Sequence, residues 1–251
     1  MIISHRHRFI FIKTRKTAST SVELFLRQFC GPDDVITRDA HGDERLARRL
    51  GVPGQQNSGS RPVMPWNIRG NDIWWARRNG AYPQRAQIGM HADAAAIRDF
   101  VGPTVWSSYT KITTVRDPWE TTVSLYFWRK ATSSQRVRNA GSDAGTADAP
   151  GRTLDDAVER AARNWATYTI DDVPVVDHVV RYERLDDDLD SLCTELRLEP
   201  RIPLQAAKGG IRPAKTAAVE LLSIVQARRV AELAQREIEW LGYTWSGPDF
   251  G

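Results

Sequence analysis

The residues best suited to chemistry are gathered in the segment TRKTASTS, residues 14–21, which follows the apolar run FIFI. A strand that turns directly into a helix points unpaired backbone N–H groups and the positive end of the helix dipole at one place, which suits phosphate or sulfate. A lysine here adds charge, and small residues let an anion approach the backbone. We predict an anion site whose contacts are Arg15, Lys16, Thr17, Ala18, Ser19, Thr20 and Ser21. A capped helix start without a ligand is the alternative interpretation.

This segment is not an ordinary nucleotide-triphosphate loop. The pattern G-x-x-x-x-G-K-[ST] requires two glycines, whereas this chain has Ile10 at the first position and Arg15 directly before Lys16. A P-loop kinase or GTPase is therefore disfavoured. A nucleotide kinase of related fold stays open as an alternative, and it would require magnesium-dependent binding of a triphosphate.

A second strand-to-helix turn lies in the segment KITTVRDPWETTVSLYFW, residues 111–128. Arg116 stands at the end of the predicted strand, and Ser124 follows about two helical turns further on. Both side chains can therefore meet one phosphate. The tetrapeptide DPWE between them has the pattern of a capping box with proline at the first helical position.

The paired motifs KTASTS and VRDPWETTVSLYFW resemble those of the carbohydrate-type branch of the sulfotransferases that depend on 3′-phosphoadenosine-5′-phosphosulfate (PAPS). The resemblance continues, in the family's order, in GMHADAAAIRDFVGPTVWSSY, in YERLDDDLDSLCTELRL and in KGGIRP with the terminal helix that ends LGY. Each motif alone is weak, but the ordered set is specific. The chain departs from the family at Arg15, where proline is usual, at Ala18, where glycine is usual, and in a long excursion before His91.

The resemblance implies that PAPS is the sulfuryl donor, that adenosine 3′,5′-bisphosphate (PAP) is the product, and that no metal takes part. In this family the first motif holds the 5′-phosphosulfate, and residues that match Arg116 and Ser124 hold the 3′-phosphate. A loop that matches Lys208, Gly209 and Arg212 lies over the nucleotide in this family, and a plain turn before the terminal helix is the alternative interpretation here. The resemblance also implies an α/β architecture, the three-layer P-loop NTPase-like sulfotransferase fold, with a central parallel sheet flanked by helices.

Sulfuryl transfer needs a base for the acceptor hydroxyl and positive charge where the leaving 5′-phosphate develops negative charge. Lys16 is the candidate for the charge, with a role in binding alone as the alternative. His91 resembles the histidine of the family's H-A-x-A segment and is the candidate base. The helix predicted to begin after Asp93 disfavours the imidazolium form of His91. A packed histidine that orders the loop is the alternative, with Asp93 and Glu23 as the next candidate bases.

Three tryptophans in the excursion, Trp66, Trp74 and Trp75, are candidates to stack on the acceptor, although tryptophans in such segments also cover cores. Family analogy points to an acceptor hydroxyl on a carbohydrate or on a hydroxylated small molecule. Fold alone does not fix the substrate.

We expect a single domain over residues 1–251, because the chain suits one large α/β core. Residues 31–85 are predicted to form a long excursion on the substrate side. Residues 132–152 are rich in Ser, Gly, Ala and Asp and are predicted to form a flexible loop. A helix that follows residue 93 should end at Gly102, and a long terminal helix should run over residues 216–241.

The formal net charge of +4 at pH 7 tolerates anionic partners, but basic and acidic residues are interspersed along most of the chain. A nucleic-acid-binding protein is the competing class, supported by this charge and by the arginines of ARRNGAYPQR. Cys30 and Cys193 belong to no C-x-x-C pair and are expected to be free thiols in a reducing compartment. No segment is apolar enough to cross a bilayer, so we expect a cytoplasmic enzyme without membrane or nucleic-acid partners.

Overall fold

The computed structural model describes residues 1–38, 41–61, 73, 77, 85–140, 153–207, 211 and 217–250. Within these ranges the strands are β1 (Ile2–Ser4), β2 (Phe9–Ile12), β3 (Val35–Ile36), β4 (Ser60–Arg61), β5 (Arg85–Ala86), β6 (Thr110–Val115), β7 (Thr169–Ile170), β8 (Val173–Pro174) and β9 (His178–Arg181). The helices are α1 (Ser19–Arg27), α2 (His41–Leu50), α3 (Ala94–Ser108), α4 (Pro118–Ala140), α5 (Leu154–Val158), α6 (Trp165–Tyr168), α7 (Leu185–Glu195), α8 (Ala218–Leu221), α9 (Ile224–Leu233) and α10 (Gln235–Leu241). Two 3-10 turns span Ala161–Arg163 and Tyr182–Arg184.

The central sheet has five strands in the order β3-β1-β2-β6-β9 and is mixed. Strands β2, β6 and β9 are parallel, but β1 pairs antiparallel with both β2 and β3. The prediction of a parallel sheet is therefore wrong for the β1 side. The physical reason is that β1 and β2 are joined by only four residues, and so short a connection must reverse the chain direction.

Both faces of the sheet are covered by helices, which makes the protein α/β. In β2 the side chains alternate: Phe9 and Phe11 pack in a cluster with residues of α1 and α7. Ile10 and Ile12 point to the opposite face, where they pack in a cluster with residues of α3 and with Leu241. This buried alternation matches a strand enclosed on both sides.

Two helices differ from the sequence predictions. Helix α4 continues to Ala140, so residues 132–140 are helical where composition predicts a loop. The predicted terminal helix is broken into α8, α9 and α10, because Leu222 is extended and Ser223 caps a new start by accepting the Gln226 N–H. The last helix ends, as predicted, at Gly242, whose φ of 70° is left-handed.

Gly102 ends the first helical run of α3, as predicted, and a second helical run follows across a kink. Its φ of 78° and ψ of 165° interrupt α3, but Pro103 then occupies a helical position and the chain stays helical to Ser108. Proline is tolerated there because it opens a fresh helical turn.

The described part of the excursion contributes to the main sheet through β3 and packs α2 beside α1, where Leu24 contacts Ala47 and Val52. Cys30 and Cys193 are buried and unpaired, as expected. Within the described ranges, none of the helices combines the length and apolar character that a membrane crossing requires.

Candidate anion-binding site

The loop that joins β2 to α1 is attached to the end of β6 by hydroxyl groups. Parallel pairing sets Ile12 opposite Thr113, so the carboxyl ends of the two strands lie side by side. The Thr14 hydroxyl donates to the Thr114 carbonyl at 2.6 Å. The hydroxyls of Thr14, Thr17 and Thr114 lie 2.8 to 2.9 Å apart in a buried triangle. These bonds fix where the loop leaves the sheet.

The loop backbone alternates between ordinary and left-handed conformations. Lys16 and Ala18 have φ values of 65° and 59°, and Thr17 between them does not have a positive φ. Such an alternation turns successive N–H groups toward one concavity, which is a common way of binding anions. A non-glycine residue in the left-handed region costs about 1–2 kcal/mol. Glycine would occupy this position without that cost.

The amino end of α1 has no side-chain cap. Ala18 occupies the N-cap position, and no acidic residue lies in the first turn. Within the described ranges, the backbone N–H groups of Thr17, Ala18 and Ser19 have no acceptor. A nine-residue helix therefore presents its positive end and three adjacent amides without a counter-charge from its own sequence.

Most of the predicted hydroxyl contacts are engaged within the fold. Ser19 donates its hydroxyl to the Thr14 carbonyl at 2.6 Å, and the Ser21 hydroxyl accepts the Ala207 N–H at 3.0 Å. Thr17 belongs to the buried hydroxyl triangle, and Thr20 is 8% exposed. An anion in the loop would therefore be bound mainly by backbone amides, while these hydroxyls stabilise the conformation of the loop.

Lys16 is half-buried, and its Nζ lies 5.5 Å from the ring centroid of Trp128 on α4. A cation at this distance from a tryptophan face is stabilised by the ring quadrupole. Lys16 is therefore directed across the loop toward α4.

Asn164, which the sequence analysis missed, clamps the start of the loop. Its Oδ1 accepts the Arg15 N–H at 2.8 Å, and its Nδ2 donates to the Arg15 carbonyl at 2.9 Å. Asn164 is 5% exposed and lies 149 residues from its partner. No local pattern marks such a residue, because the contact exists only once the chain has folded.

Arg116 emerges at the carboxyl end of β6, next to the loop, as predicted. Its guanidinium stacks on Tyr182 with 3.8 Å to the ring centroid, and its Nη2 bonds Glu120 at 3.2 Å. Its Nε is buried and has no hydrogen-bond partner in the described part of the chain. Ser124 lies on α4 with a half-buried side chain. The orphaned Nε is the kind of donor that a bound anion would satisfy.

His91 is bound to the loop through its ring. Its Nδ1 lies 2.8 Å from the Lys13 carbonyl, and because a carbonyl can only accept, Nδ1 carries the proton. The Nε2 lone pair is then available, and no described residue bonds to it. Burial, reinforced by the nearby cations Arg15 and Lys13, lowers the pKa of His91 to about 4 against the opposing effect of the Lys13 carbonyl. The expected neutral ring follows, although burial and not the helix start is the main cause.

The two reserve candidates for the base have other roles. Glu23 is 1% exposed and lies 2.7 Å from Lys13 Nζ and 2.6 Å from Arg27 Nη2. Burial would raise the pKa of this carboxyl, but the surrounding cations outweigh burial and hold the pKa well below its usual range. Asp93 caps α3 by accepting the Ala96 N–H at 2.8 Å. His91 remains the best placed acceptor of a proton.

Several predicted contacts lie outside the described residues. They are Lys208, Gly209, Arg212, Trp66, Trp74 and Trp75. In the described ranges, His, Cys, Asp and Glu side chains form no group of three that could hold a metal ion.

A scan against protein-family models and searches of curated proteins and of solved structures found no match to this chain.

Proposed function

We propose that this protein is a PAPS-dependent O-sulfotransferase with a P-loop NTPase-like sulfotransferase fold. One observation carries the proposal: a neutral histidine with an available Nε2 is hydrogen-bonded to the strand end that opens into an uncapped anion loop. Lys13 connects the two, because its carbonyl binds the histidine and the anion loop begins directly after it. Transfer of a sulfuryl group to a hydroxyl requires both.

In this proposal the donor's 5′-phosphosulfate lies on the amides that follow Lys16. The 3′-phosphate lies at Arg116 and Ser124, where the buried Nε of Arg116 supplies a donor. The predicted contacts Lys208, Gly209 and Arg212 complete the nucleotide side. No metal is needed, because amides, guanidinium and ammonium groups supply the positive charge.

The reaction follows from these positions. His91 Nε2 takes the proton of the acceptor hydroxyl while that oxygen forms a bond to sulfur. The bond between sulfur and the 5′-phosphate oxygen breaks, and its electron pair goes to that oxygen. Lys16 stabilises the charge that develops there, and PAP and a sulfate ester leave. The acceptor is a hydroxyl on a carbohydrate or a hydroxylated small molecule.

The titration of His91 tests its role as the base. With a pKa of about 4, the ring should stay neutral in NMR spectra down to about pH 5 in the donor-free protein. Binding of PAP should raise this pKa, because phosphate charges favour the imidazolium. A His91 signal that titrates near its usual pKa in the donor-free protein, and that does not shift when PAP binds, would contradict the assignment.

The function itself is tested by ligand binding. Calorimetry should detect PAP binding that does not depend on magnesium, with weaker binding of adenosine 5′-monophosphate because it lacks the 3′-phosphate. Binding of ATP only in the presence of magnesium, without binding of PAP, would favour the nucleotide kinase instead. Salt-sensitive binding of nonspecific duplex DNA without binding of PAP would favour the nucleic-acid-binding class.

A further inference from the structure

A buried carboxyl group joins the last helix, α10, to the short helix α6. Glu237 of α10 is 3% exposed, and its Oε1 accepts a 2.6 Å hydrogen bond from the hydroxyl of Tyr168, which ends α6 and is fully buried. Among the residues that the structure describes, no Lys, Arg or His side chain pairs with Glu237. This carboxyl therefore has a hydrogen-bond donor but no counter-charge.

Glu23, which is buried to a similar degree, shows the opposite arrangement. Lys13 and Arg27 pair with it at 2.7 and 2.6 Å, and although burial acts to raise the pKa of Glu23, the cations hold that pKa well below its usual range. Burial raises the pKa of Glu237 to about 7, against the opposing effect of the Tyr168 hydrogen bond. Glu237 can therefore change its charge near neutral pH, whereas Glu23 stays ionised.

The other titratable groups on α10 and on the elements beside it are not bonded to Glu237 in the described part of the chain. Only burial and Tyr168 shift the pKa of Glu237. On α10 itself the other groups are Arg236 and Glu239. On the neighbouring elements they are Asp172 in the turn between β7 and β8, Arg181 of β9, Tyr243 after α10, and Arg228, Arg229 and Glu232 of α9.

Aromatic rings and one ion pair complete the interface between α6 and α10. The ring of Trp240 on α10 lies 5.7 Å from the ring of Tyr168 and 5.9 Å from that of Trp165, measured between centroids. Trp165 Nε1 donates to Asp172 at 3.2 Å, and Asp172 also pairs with Arg236 of α10. Helix α6 is therefore held against α10 by a small set of contacts, with the Glu237 hydrogen bond on their buried side.

Helix α6 also connects this interface to the anion loop. Asn164 directly precedes α6, and its carbonyl accepts the Thr167 N–H at 2.9 Å within the same helical turn. The side chain of Asn164 makes the two hydrogen bonds that clamp Arg15. A movement of Tyr168 relative to α10 would therefore be transmitted to the clamp through a single turn of helix.

We propose that Glu237 and Tyr168 form a pH-sensitive latch that holds α6, and with it the Asn164 clamp of the anion loop, against α10. When Glu237 is protonated, the pair is a neutral buried hydrogen bond. When Glu237 is ionised, a charge without a counter-ion is buried, and separation of α10 from α6 gives that charge access to water. The latch is closed at acidic pH and loosened above neutral pH.

The direction of the pH effect follows from proton binding. The folded-state pKa of about 7 lies above the usual 4.5, so the closed state binds more protons than the opened state between these values. The stabilisation by the latch is complete below pH 4.5 and is lost as pH rises through 7. From pH 6.0 to pH 8.0 the equilibrium for opening should shift about tenfold.

Hydrogen exchange measures this opening. In the wild type, the protection of the α10 amides and of the Arg15 N–H should fall about tenfold from pH 6.0 to pH 8.0, after correction for the intrinsic exchange rate. E237Q keeps an acceptor oxygen without the charge, so its protection should not change. An equal fall in both proteins, or no fall in the wild type, would overturn the latch.

Two controls show whether the opening is local and specific. E239Q removes an exposed carboxylate from the same helix and should behave as the wild type does. The amides of α2, which packs beside α1, should keep their protection at both pH values in all three proteins. A tenfold loss in α2 as well as in α10 would mean that Glu237 changes the stability of the whole protein, and the latch would be wrong.

Y168F tests the donor and keeps the proposal testable if E237Q does not fold. Without the hydroxyl, ionised Glu237 loses its hydrogen bond, so the fall in protection between pH 6.0 and pH 8.0 should be greater than in the wild type. A fall no greater than that of the wild type would contradict the pairing.

The effect on the anion loop is measured with PAP, and this part rests on the proposed function. At pH 8.0 PAP should bind E237Q several-fold more tightly than the wild type, and at pH 5.0 the two proteins should bind it equally. Equal binding at pH 8.0 would contradict the connection between the latch and the loop. If neither protein binds PAP, the proposed function fails, while hydrogen exchange at α10 and Arg15 still decides whether the latch exists.

Discussion

Two strand-to-helix turns lie side by side at the same edge of the sheet, and they begin their helices in opposite ways. The turn after β2 starts α1 at Ala18, a left-handed residue without a side-chain acceptor. The turn after β6 starts α4 beside Asp117, whose Oδ1 accepts the Glu120 N–H at 2.9 Å. We call the first the open turn, because its helix has no side-chain cap, and the second the closed turn, because the Asp117 carboxylate caps its helix.

The closed turn also differs from the capping box that DPWE predicts. The Asp117 N–H donates to Glu183 at 2.9 Å instead of to Glu120. Glu120 is used by Arg116 and by the Ala218 N–H at 2.7 Å. Only half of the box forms, because tertiary partners compete for the same groups. The comparison teaches that similar local patterns can serve binding in one place and structure in another.

The largest effect should come from removing the charge of the open turn. K16Q should lower turnover of PAPS, measured as PAP release, by about 100-fold, because the leaving phosphate loses its nearest cation. Its Kd for PAP should change less than tenfold, since the loop amides remain. K111Q removes a lysine at the amino end of β6 and should leave both values unchanged. Equal losses of turnover and affinity in K16Q would reduce Lys16 to a binding residue.

Breaking the clamp on the open turn should have the next largest effect. N164A removes two hydrogen bonds to Arg15 and should lower the free energy of unfolding by about 2 kcal/mol. PAP should bind about tenfold more weakly, because the loop must be ordered on binding. N57A removes bonds to the carbonyls of Pro32 and Asp34 and should destabilise the protein without weakening PAP. If N164A binds PAP as the wild type does, the clamp does not shape the site.

Replacing the left-handed residue Ala18 by glycine should have a smaller effect, and it should increase stability instead of lowering it. A18G should raise the free energy of unfolding by about 0.5–1 kcal/mol, because glycine adopts a φ of 59° without steric cost. PAP affinity should stay the same. A131G, at an exposed position inside α4, should instead lower stability by about 1 kcal/mol. A destabilised A18G protein would show that the methyl group packs usefully.

The smallest effect concerns the closed turn and pH. Burial, with added repulsion from Glu120 and Glu183, raises the pKa of Asp117 to about 6 from its usual 3.8. Between these two values the folded state binds more protons than the unfolded state, so Asp117 makes stability fall as pH rises. D117N keeps a capping oxygen and should remove this fall, so its gain in Tm over the wild type should be greater at pH 7.5 than at pH 4.5. D93N, at the N-cap of α3, is the matched control, and equal gains for D117N at both pH values would contradict the shift.

Local patterns predicted much of the region around the open turn. The apolar run before residue 13 and the small polar residues after it predicted β2, the loop and α1. These elements are predictable because the spacing of apolar residues in a strand or a helix can be read from adjacent positions. The end of β6 and the position of Arg116 followed in the same way. Strand β1 was missed because three residues are too few to show a period.

The sequence by itself determined that a helix begins directly after the polar loop and that His91 precedes a capped helix, since both depend on adjacent residues. Tertiary structure alone decided that Asn164 holds the loop and that Thr17 and Ser19 turn their hydroxyls inward. It also decided the tautomer of His91, because the Lys13 carbonyl that fixes it lies 78 residues away along the chain. Hydrogen bonds and charge repulsion depend on the distance between groups in space. The sequence alone predicts that distance only for residues that are neighbours along the chain.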